Sequence, residues 1–166
     1  MNTISTSGLE FKRPIWQNTI ILTLGFWLSA NLILDWVIMP SLYVSGMMTQ
    51  SSFVSAGYTI FWNFNRVELL CAGLVLTGVL ALSKSQFKGI SRSIILALVM
   101  LVIALVDTYF LTPQMSATGL QLNFVEAVAE TSTNMNLLHG AYWLLEAAKL
   151  SVGFTLFTWC WKQSKS

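Results

Sequence analysis

Hydrophobic residues along this chain fall into four long runs separated by polar segments. The runs cover about residues 15–39, 58–82, 93–111 and 137–161. A helix that crosses the apolar core of a bilayer needs about 20 consecutive apolar residues, and each run is close to that length. The pattern therefore predicts an all-α fold, a bundle of four transmembrane helices that fills residues 1–166 as a single integral membrane domain.

Composition places the chain outside the class of soluble proteins. It is 55% hydrophobic and 10% charged, whereas soluble domains carry roughly 25% charged residues. The net charge of +2 gives no reason to expect a nucleic-acid partner. The runs leave no room for a soluble catalytic domain, and no nucleophile constellation is visible, so we expect a non-enzymatic protein.

Lysine and arginine are distributed unevenly among the connecting segments. Lys12 and Arg13 precede the first run, and Lys162 and Lys165 follow the fourth. Lys84, Lys88 and Arg92 lie between the second and third runs, which makes seven basic residues in these three segments. The other two connections, at 40–57 and 113–136, contain none. Because basic residues collect on the cytoplasmic side of a membrane, both termini are predicted to be cytoplasmic, in a bacterial inner membrane or a thylakoid membrane.

The two halves of the chain share a pattern of polar residues and prolines. The first run ends LDWVIMP and the third ends VDTYFLTP, while NFNRVEL and NMNLLHG open the second and fourth. Matched residues are 72, 73, 71 and 71 positions apart: Asp35 with Asp107, Pro40 with Pro113, Asn63 with Asn134, and Asn65 with Asn136. This predicts two tandem helical hairpins, about 11–83 and 87–161, as a parallel internal repeat. The prolines are expected to end their helices, and the asparagines to cap theirs.

Seven ionisable residues lie within the predicted spans, where such residues are rare and usually functional. They are Asp35, Arg66, Glu68, Asp107, His139, Glu146 and Lys149. With all acids ionised and the histidine neutral, they sum to −2. The acids are therefore expected to be protonated in part, or to reach water, a cation or another subunit.

Depth along the helices suggests partners for these groups. Asp35 is predicted to pair with Arg66 and Asp107 to face His139, with crossed pairing between the hairpins as the alternative. On the fourth run, several residues recur at steps of three and four and are predicted to form one inward stripe: Asn136, His139, Trp143, Glu146, Lys149 and Gly153. The two cysteines have no zinc-binding spacing, so we predict no metal site and treat both as apolar fillers.

The segments DTYFLTPQM and NLLHGAYWLLEAAKL resemble a known family. It comprises bacterial four-helix membrane proteins of unknown function, related to the transmembrane-protein-205-like group. The resemblance rests on Pro113, which closes the third helix, and on Leu138 and His139 near the start of the fourth. That family is distantly similar to copper-resistance membrane proteins and to HemJ-type haem proteins. The resemblance therefore implies a haem or other tetrapyrrole as cofactor, with His139 as a ligand.

Three functions are compatible with these observations. The first is an accessory or assembly protein that acts through a membrane-protein partner or as a homo-oligomer, in which the partner settles the charge imbalance. The second is a haem- or tetrapyrrole-binding protein that uses His139. The third is a small proton- or ion-coupled carrier. A purely structural network that fixes the helix register is compatible with the same residues.

Overall fold

The protein is almost entirely helical. The computed structural model describes residues 7–47, 52–83, 90–124 and 129–164. Within them the α-helices are α1 Ser7–Ile33, α2 Met39–Val44, α3 Phe53–Ser83, α4 Ile90–Val106, α5 Thr112–Phe124 and α6 Ala129–Ser164. Two π-helical turns, Leu34–Ile38 and Asp107–Leu111, join α1 to α2 and α4 to α5.

Three helical segments are long and apolar enough to cross a membrane. They are Ile15–Val44, Phe53–Ser83 and Ser91–Gly119, with mean hydropathies of 1.7, 1.7 and 2.7. The chain is therefore compatible with an integral membrane protein. Helix α6 is longer, at 36 residues, but it carries Glu146 and Lys149 and is the most polar of the long helices.

The long helices pack around a common core. Helix α3 contacts α1 and α4, and α6 contacts the same two helices, whereas the described parts of α3 and α6 make no backbone contact with each other. The core is apolar at one end, where Ile20, Leu24 and Val79 are fully buried. On the outside, Leu22, Leu70 and Leu144 are each about 70% exposed. These exposed leucines give the molecule the apolar surface that a lipid environment requires.

The prolines do not end their helices, so that prediction is wrong. The chain stays helical through Pro40 and Pro113, because each is preceded by a π turn. In the second of these turns the Thr112 N–H bonds to the Asp107 carbonyl, five residues back. A proline lacks an N–H and crowds the carbonyl four residues earlier, so the wider turn relieves that crowding without breaking the helix.

The paired asparagines do not cap helices either. Helix α3 begins at Phe53 and α6 at Ala129, well before the predicted starts. Asn63 donates from Nδ2 to the Thr59 carbonyl at 2.8 Å, and Asn65 donates to the Thr112 hydroxyl at 2.7 Å. Asn65 therefore connects α3 to α5 from the middle of its helix.

Candidate functional site

The Lys149 side chain lies in the interior and is 0% exposed. Its Nζ lies 2.7 Å from Glu68 Oε1, 2.5 Å from Glu146 Oε1 and 3.3 Å from Asp107 Oδ2. Glu68 belongs to α3, Asp107 opens the second π turn, and Glu146 lies one turn before Lys149 on α6. One ammonium group therefore links α6 to α3, a helix that the α6 backbone does not touch.

Helix α1 adds a second set of contacts. The Trp27 indole N–H donates to Glu68 Oε1 at 2.8 Å. The Tyr142 hydroxyl, on α6, donates to Asp35 Oδ1 at 2.7 Å, and Asp35 lies close enough to Glu146 and Lys149 to interact with both electrostatically. The two π turns, α3 and α6 thus contribute to one group, which we call the charge cluster: Asp35, Glu68, Asp107, Glu146 and Lys149.

The charge cluster carries more acid than base. Its four carboxylate residues are between 1% and 3% exposed, and Lys149 is the one buried Lys or Arg in the described part of the chain. Fully ionised, the cluster would hold three uncompensated negative charges. Removing ionised groups from water costs several kcal/mol each unless they are paired. The cluster therefore has to bind protons or a cation.

Several buried polar atoms of the site make no hydrogen bond within the protein. Asn31 is 0% exposed, and neither its Oδ1 nor its Nδ2 has a partner. It lies four residues after Trp27 and four before Asp35, so all three share one face of the α1 segment. One carboxylate oxygen each of Asp35, Asp107 and Glu146 is also without a partner. Buried polar groups are normally hydrogen-bonded, so these atoms depart from the usual pattern of a protein interior.

Five of the seven ionisable residues predicted from the sequence form the charge cluster, and two lie elsewhere. Arg66 is exposed and stacks on Trp62, with its guanidinium carbon 3.4 Å from the ring centroid. His139 is exposed and donates from Nδ1 to the Met135 carbonyl at 3.0 Å.

Both predicted pairings are wrong. Asp35 accepts from Tyr142 rather than from Arg66, and Asp107 contacts Lys149 rather than His139. Similar depth in a bundle does not fix the direction in which a side chain points around its helix. Arg66 stands two residues from the inward-facing Glu68, which places it on nearly the opposite side of α3.

The predicted inward stripe on α6 holds over only half its length. Glu146, Lys149 and Gly153 are buried, but Asn136, His139 and Trp143 are exposed. Each step of three residues falls about 60° short of a full turn, so His139 and Lys149 lie about 80° apart around the helix. The outer part of the stripe therefore faces away from the core.

Sequence reasoning did not assign Trp27, Asn31 and Tyr142 to the site. The first two could have been found, because they precede Asp35 at steps of four in an apolar run. Tyr142 could have been found in the same way, because it precedes Glu146 by four residues and Lys149 by seven, on one face of the helix.

The site also brings together carboxylate oxygens that could hold a metal ion, an arrangement that Cys and His spacing could not reveal. Carboxylate oxygens of Glu68, Asp107 and Glu146 lie within 4.8 Å of one another, and all three residues are buried. Cys71 and Cys160, by contrast, are buried in the apolar core.

Comparison with known proteins finds no match to this chain among family models, curated proteins or solved structures. The resemblance to the bacterial four-helix membrane proteins therefore stays a prediction.

Proposed function

We propose that this protein is a small proton-coupled carrier in which the charge cluster binds the coupling proton. The observation that carries the proposal is the enclosure of Lys149 by three carboxylates at 2.5–3.3 Å, with a fourth acid, Asp35, beside them. Ionisable groups inside membrane proteins that pair with one another commonly mark proton or ion paths.

The proposal includes four membrane spans, with α6 as the last. Glu146 and Lys149 of α6 face the interior, while Leu144 and Phe154 on its other sides are 72% and 63% exposed. A helix of this kind meets lipid with its apolar sides, although its average hydropathy is low. The excess of Lys and Arg in alternate connections supports the same topology, with both termini cytoplasmic.

A tandem repeat of two hairpins is part of the same proposal. In each half a π turn precedes a proline, and each turn contains one acid of the charge cluster, Asp35 or Asp107. Because α1 lies between α3 and α6, and α4 also lies between them, the two halves have equivalent neighbours. Turns of π-helix recur at functional sites, which fits their position beside the two acids.

Proton binding follows from the charge of the site. Each proton taken up removes one uncompensated negative charge from a region without water contact, so uptake is favoured until the charge approaches zero. The Asp35 and Glu146 carboxyl groups are close enough to interact electrostatically, and neighbouring buried carboxyls disfavour ionisation of one another. These two carboxyls are the proposed binding site of the coupling proton.

The test is proton flux into liposomes that contain the purified protein, driven by a potassium diffusion potential and followed with an internal pH dye. We expect Glu146→Gln and Asp107→Asn to reduce the flux to that of empty liposomes. Arg66→Gln is the matched control, because Arg66 lies outside the charge cluster, and its flux should equal that of the parent protein. Equal flux in the parent and in both folded acid variants would refute the proposal.

A tetrapyrrole-binding function is supported by one specific observation. The Nδ1–H of His139 is donated to the Met135 carbonyl, an arrangement that leaves Nε2 as a ligand atom, and the ring is exposed. His139 is the only histidine of the chain, so a second histidine ligand would come from a second copy. A Soret band in the purified protein that disappears in His139→Ala would support this function, and a blank spectrum from folded protein would exclude it.

One argument for the accessory or assembly function was that a partner would compensate the charges within the spans. This argument is weaker because the buried charges lie together inside a single chain. An exposed aromatic surface supports a partner instead: Trp36 and Trp143 are 63% and 45% exposed and meet edge to face at 6.1 Å. Solubilisation in a mild detergent should then give a complex larger than the chain or its dimer. Recovery of the free chain alone would contradict this function.

A further inference from the structure

We propose that the charge cluster opens to water past a gate formed by the rings of Phe61 and Tyr142. The gate lies at the end of the bundle that holds α2 and α5, while packed apolar side chains close the opposite end. This inference rests on the proposed function, because a coupling proton has to pass between water and the buried acids. It identifies the access path of that site and the two residues that close it.

The closed end is a layer of apolar side chains about two helical turns from the charge cluster. Three fully buried residues each stand seven positions along the chain from a member of the cluster: Val75 from Glu68, Met100 from Asp107, and Leu156 from Lys149. Seven residues of helix span about 10 Å and return to nearly the same face. Leu24 of α1 belongs to the same apolar core, so all four long helices contribute to this closure.

Packing between this layer and the charge cluster is tight beside Gly153. Gly153 lies four residues after Lys149 on α6 and is buried. A Cβ built on it would lie 2.8 Å from Cδ2 of Leu28 and 3.0 Å from Cε of Met100. The contact of α6 with α1 and α4 at this level therefore has no room for one added carbon atom, and water does not pass there in this conformation.

Two aromatic rings stand at the same distance on the other side of the charge cluster. Phe61 precedes Glu68 by seven residues, and Tyr142 precedes Lys149 by seven. The rings meet edge to face, with their centroids 5.8 Å apart and their planes at 78°. Both residues are half-buried, unlike the fully buried apolar layer at the other end. The closure at this end is therefore thinner, and it consists of side chains in contact with the surface.

Phe61 and Tyr142 lie close to the end of the membrane-spanning region. They stand three and five residues inside the predicted spans 58–82 and 137–161, which places them within about 8 Å of the span ends. Exposed polar side chains lie at the same level, Asn63 on α3 and His139 on α6. Water is therefore available on the outward side of the two rings.

Tyr142 connects this gate to the proposed proton site. Its hydroxyl donates to Asp35 Oδ1 at 2.7 Å, and Asp35 is buried. Asp35 is thus the first acid behind the gate, and the hydrogen bond holds the ring in the closed position. Rotation of the Tyr142 side chain breaks that bond and uncovers the carboxyl group, so Tyr142 acts as a positioning residue that controls access to Asp35.

The experiment measures how fast a thiol at position 35 reacts with a membrane-impermeant methanethiosulfonate reagent. Asp35→Cys is made in the full-length chain with Cys71 and Cys160 replaced by alanine, and sealed cells are compared with inside-out vesicles. Adding Tyr142→Ala should speed the reaction about 10-fold or more, because the thiol no longer waits for the ring to move. The faster reaction should occur from the side on which the exposed Ser45→Cys reacts.

Trp143→Ala is the matched control. Trp143 is the aromatic neighbour of Tyr142 on α6, but it is 45% exposed and packs on Trp36 at the surface. Its replacement should leave the reaction at position 35 as slow as in Asp35→Cys alone. Thermal unfolding in detergent shows whether each variant is folded. If the variant with Tyr142→Ala does not fold, Phe61→Ala takes its place and should also speed the reaction.

Three results would overturn the inference: equal rates with and without Tyr142→Ala, equal acceleration by Trp143→Ala, or faster reaction from the side opposite to Ser45→Cys. Because labelling does not require transport, it separates the gate from the carrier. Proton flux in the parent together with a labelling rate that does not depend on Tyr142 would refute the gate alone. A labelling rate that depends on Tyr142 in a protein without proton flux would support the gate and refute the carrier alone.

Discussion

Lys149 and the acids around it depend on one another for burial. An ammonium group with 0% exposure is tolerated because three carboxylates surround it. The same acids are tolerated because Lys149 and protons together offset their charge. A substitution at this position therefore changes the number of protons that the folded protein must bind.

Replacing Lys149 with methionine keeps most of the side-chain length and removes the charge. We expect Lys149→Met to lower the free energy of unfolding by about 3–5 kcal/mol, because the acids lose their buried partner. The loss should be larger at about pH 8 than at about pH 5.5, since at lower pH protons replace the missing charge. Thermal unfolding in detergent at both pH values measures this. Lys162→Met, at an exposed position of α6, is the control and should leave the free energy of unfolding unchanged at both pH values. An equal loss at the two pH values would contradict the charge argument.

Trp27 provides a separate test of the contacts of Glu68. Trp27→Phe keeps an aromatic ring in the core but removes the N–H that donates to Glu68 Oε1 at 2.8 Å. Loss of a buried hydrogen bond to a charged group should cost about 1.5–3 kcal/mol of unfolding free energy. The prediction is checked by comparing the chemical or thermal unfolding of Trp27→Phe with that of Trp36→Phe. Trp36 is 63% exposed, so its replacement should be nearly neutral. Similar effects of the two substitutions would rule out a structural role for the Trp27 N–H.

At the scale of single residues, the sequence predicts well which ionisable groups are buried. It predicts less well which of these groups contact each other. Asp35, Glu68, Asp107, Glu146 and Lys149 stand out because ionisable residues in apolar runs are costly. Partners depend on how each helix is rotated, which depth along the chain does not reveal. Long side chains such as Arg66 also reach the surface along their own stems, so their position in a run does not predict burial.

Helices in this protein approach closely where a glycine removes a side chain. A Cβ built on Gly78 of α3 would lie 2.6 Å from Cγ1 of Ile20 on α1, and Ile20 is fully buried, so the two helices would have to shift. On the same helix, a Cβ on Gly73 would meet nothing within 4 Å. The two glycines therefore differ in packing while sharing the conformational cost of glycine in a helix.

Alanine substitution at these two glycines should have opposite effects. Gly78→Ala should destabilise the protein by about 1–3 kcal/mol, because the added methyl group overpacks the contact between α1 and α3. Gly73→Ala should stabilise it by about 0.5–1 kcal/mol, because alanine favours the helix and nothing opposes it. Thermal unfolding of both variants under one condition measures the difference. Equal shifts would mean that α1 and α3 do not pack at Gly78.

At the scale of elements, the sequence predicts the helices but not their ends. The second and fourth apolar runs lie inside α3 and α6. The first extends from α1 through the first π turn to the start of α2, and the third extends from α4 to the end of the second π turn. In every case the helical structure continues beyond the run. The length of an apolar run indicates only the part of a helix that can lie in the apolar core of a bilayer. The helix itself continues into the polar residues on either side. The π turns were missed because a proline in a helical pattern is compatible with either a break or a wider turn, and packing of the whole chain decides between them.

The number of membrane spans is a property of the whole molecule, and α6 determines it. Hydropathy and length select three segments, and α6 is not one of them. Three spans would put the termini on opposite sides of the membrane, whereas four would put them on the same side. The polarity of α6 comes partly from Glu146 and Lys149, which are buried against other helices and do not face lipid. Average hydropathy counts these residues as if they were exposed, which is why four spans are still expected.

Cysteine labelling in sealed cells distinguishes the two topologies. In a background in which Cys71 and Cys160 are replaced with alanine, Ser45→Cys and Ser164→Cys each place one thiol at an exposed position. A membrane-impermeant maleimide should label Ser45→Cys in intact cells and Ser164→Cys only after permeabilisation, because α6 returns the chain to the cytoplasmic side. Labelling of both in intact cells would mean that α6 does not cross the membrane. In that case the charge cluster would not lie inside a bundle of membrane-spanning helices, and the carrier function would lose its physical basis.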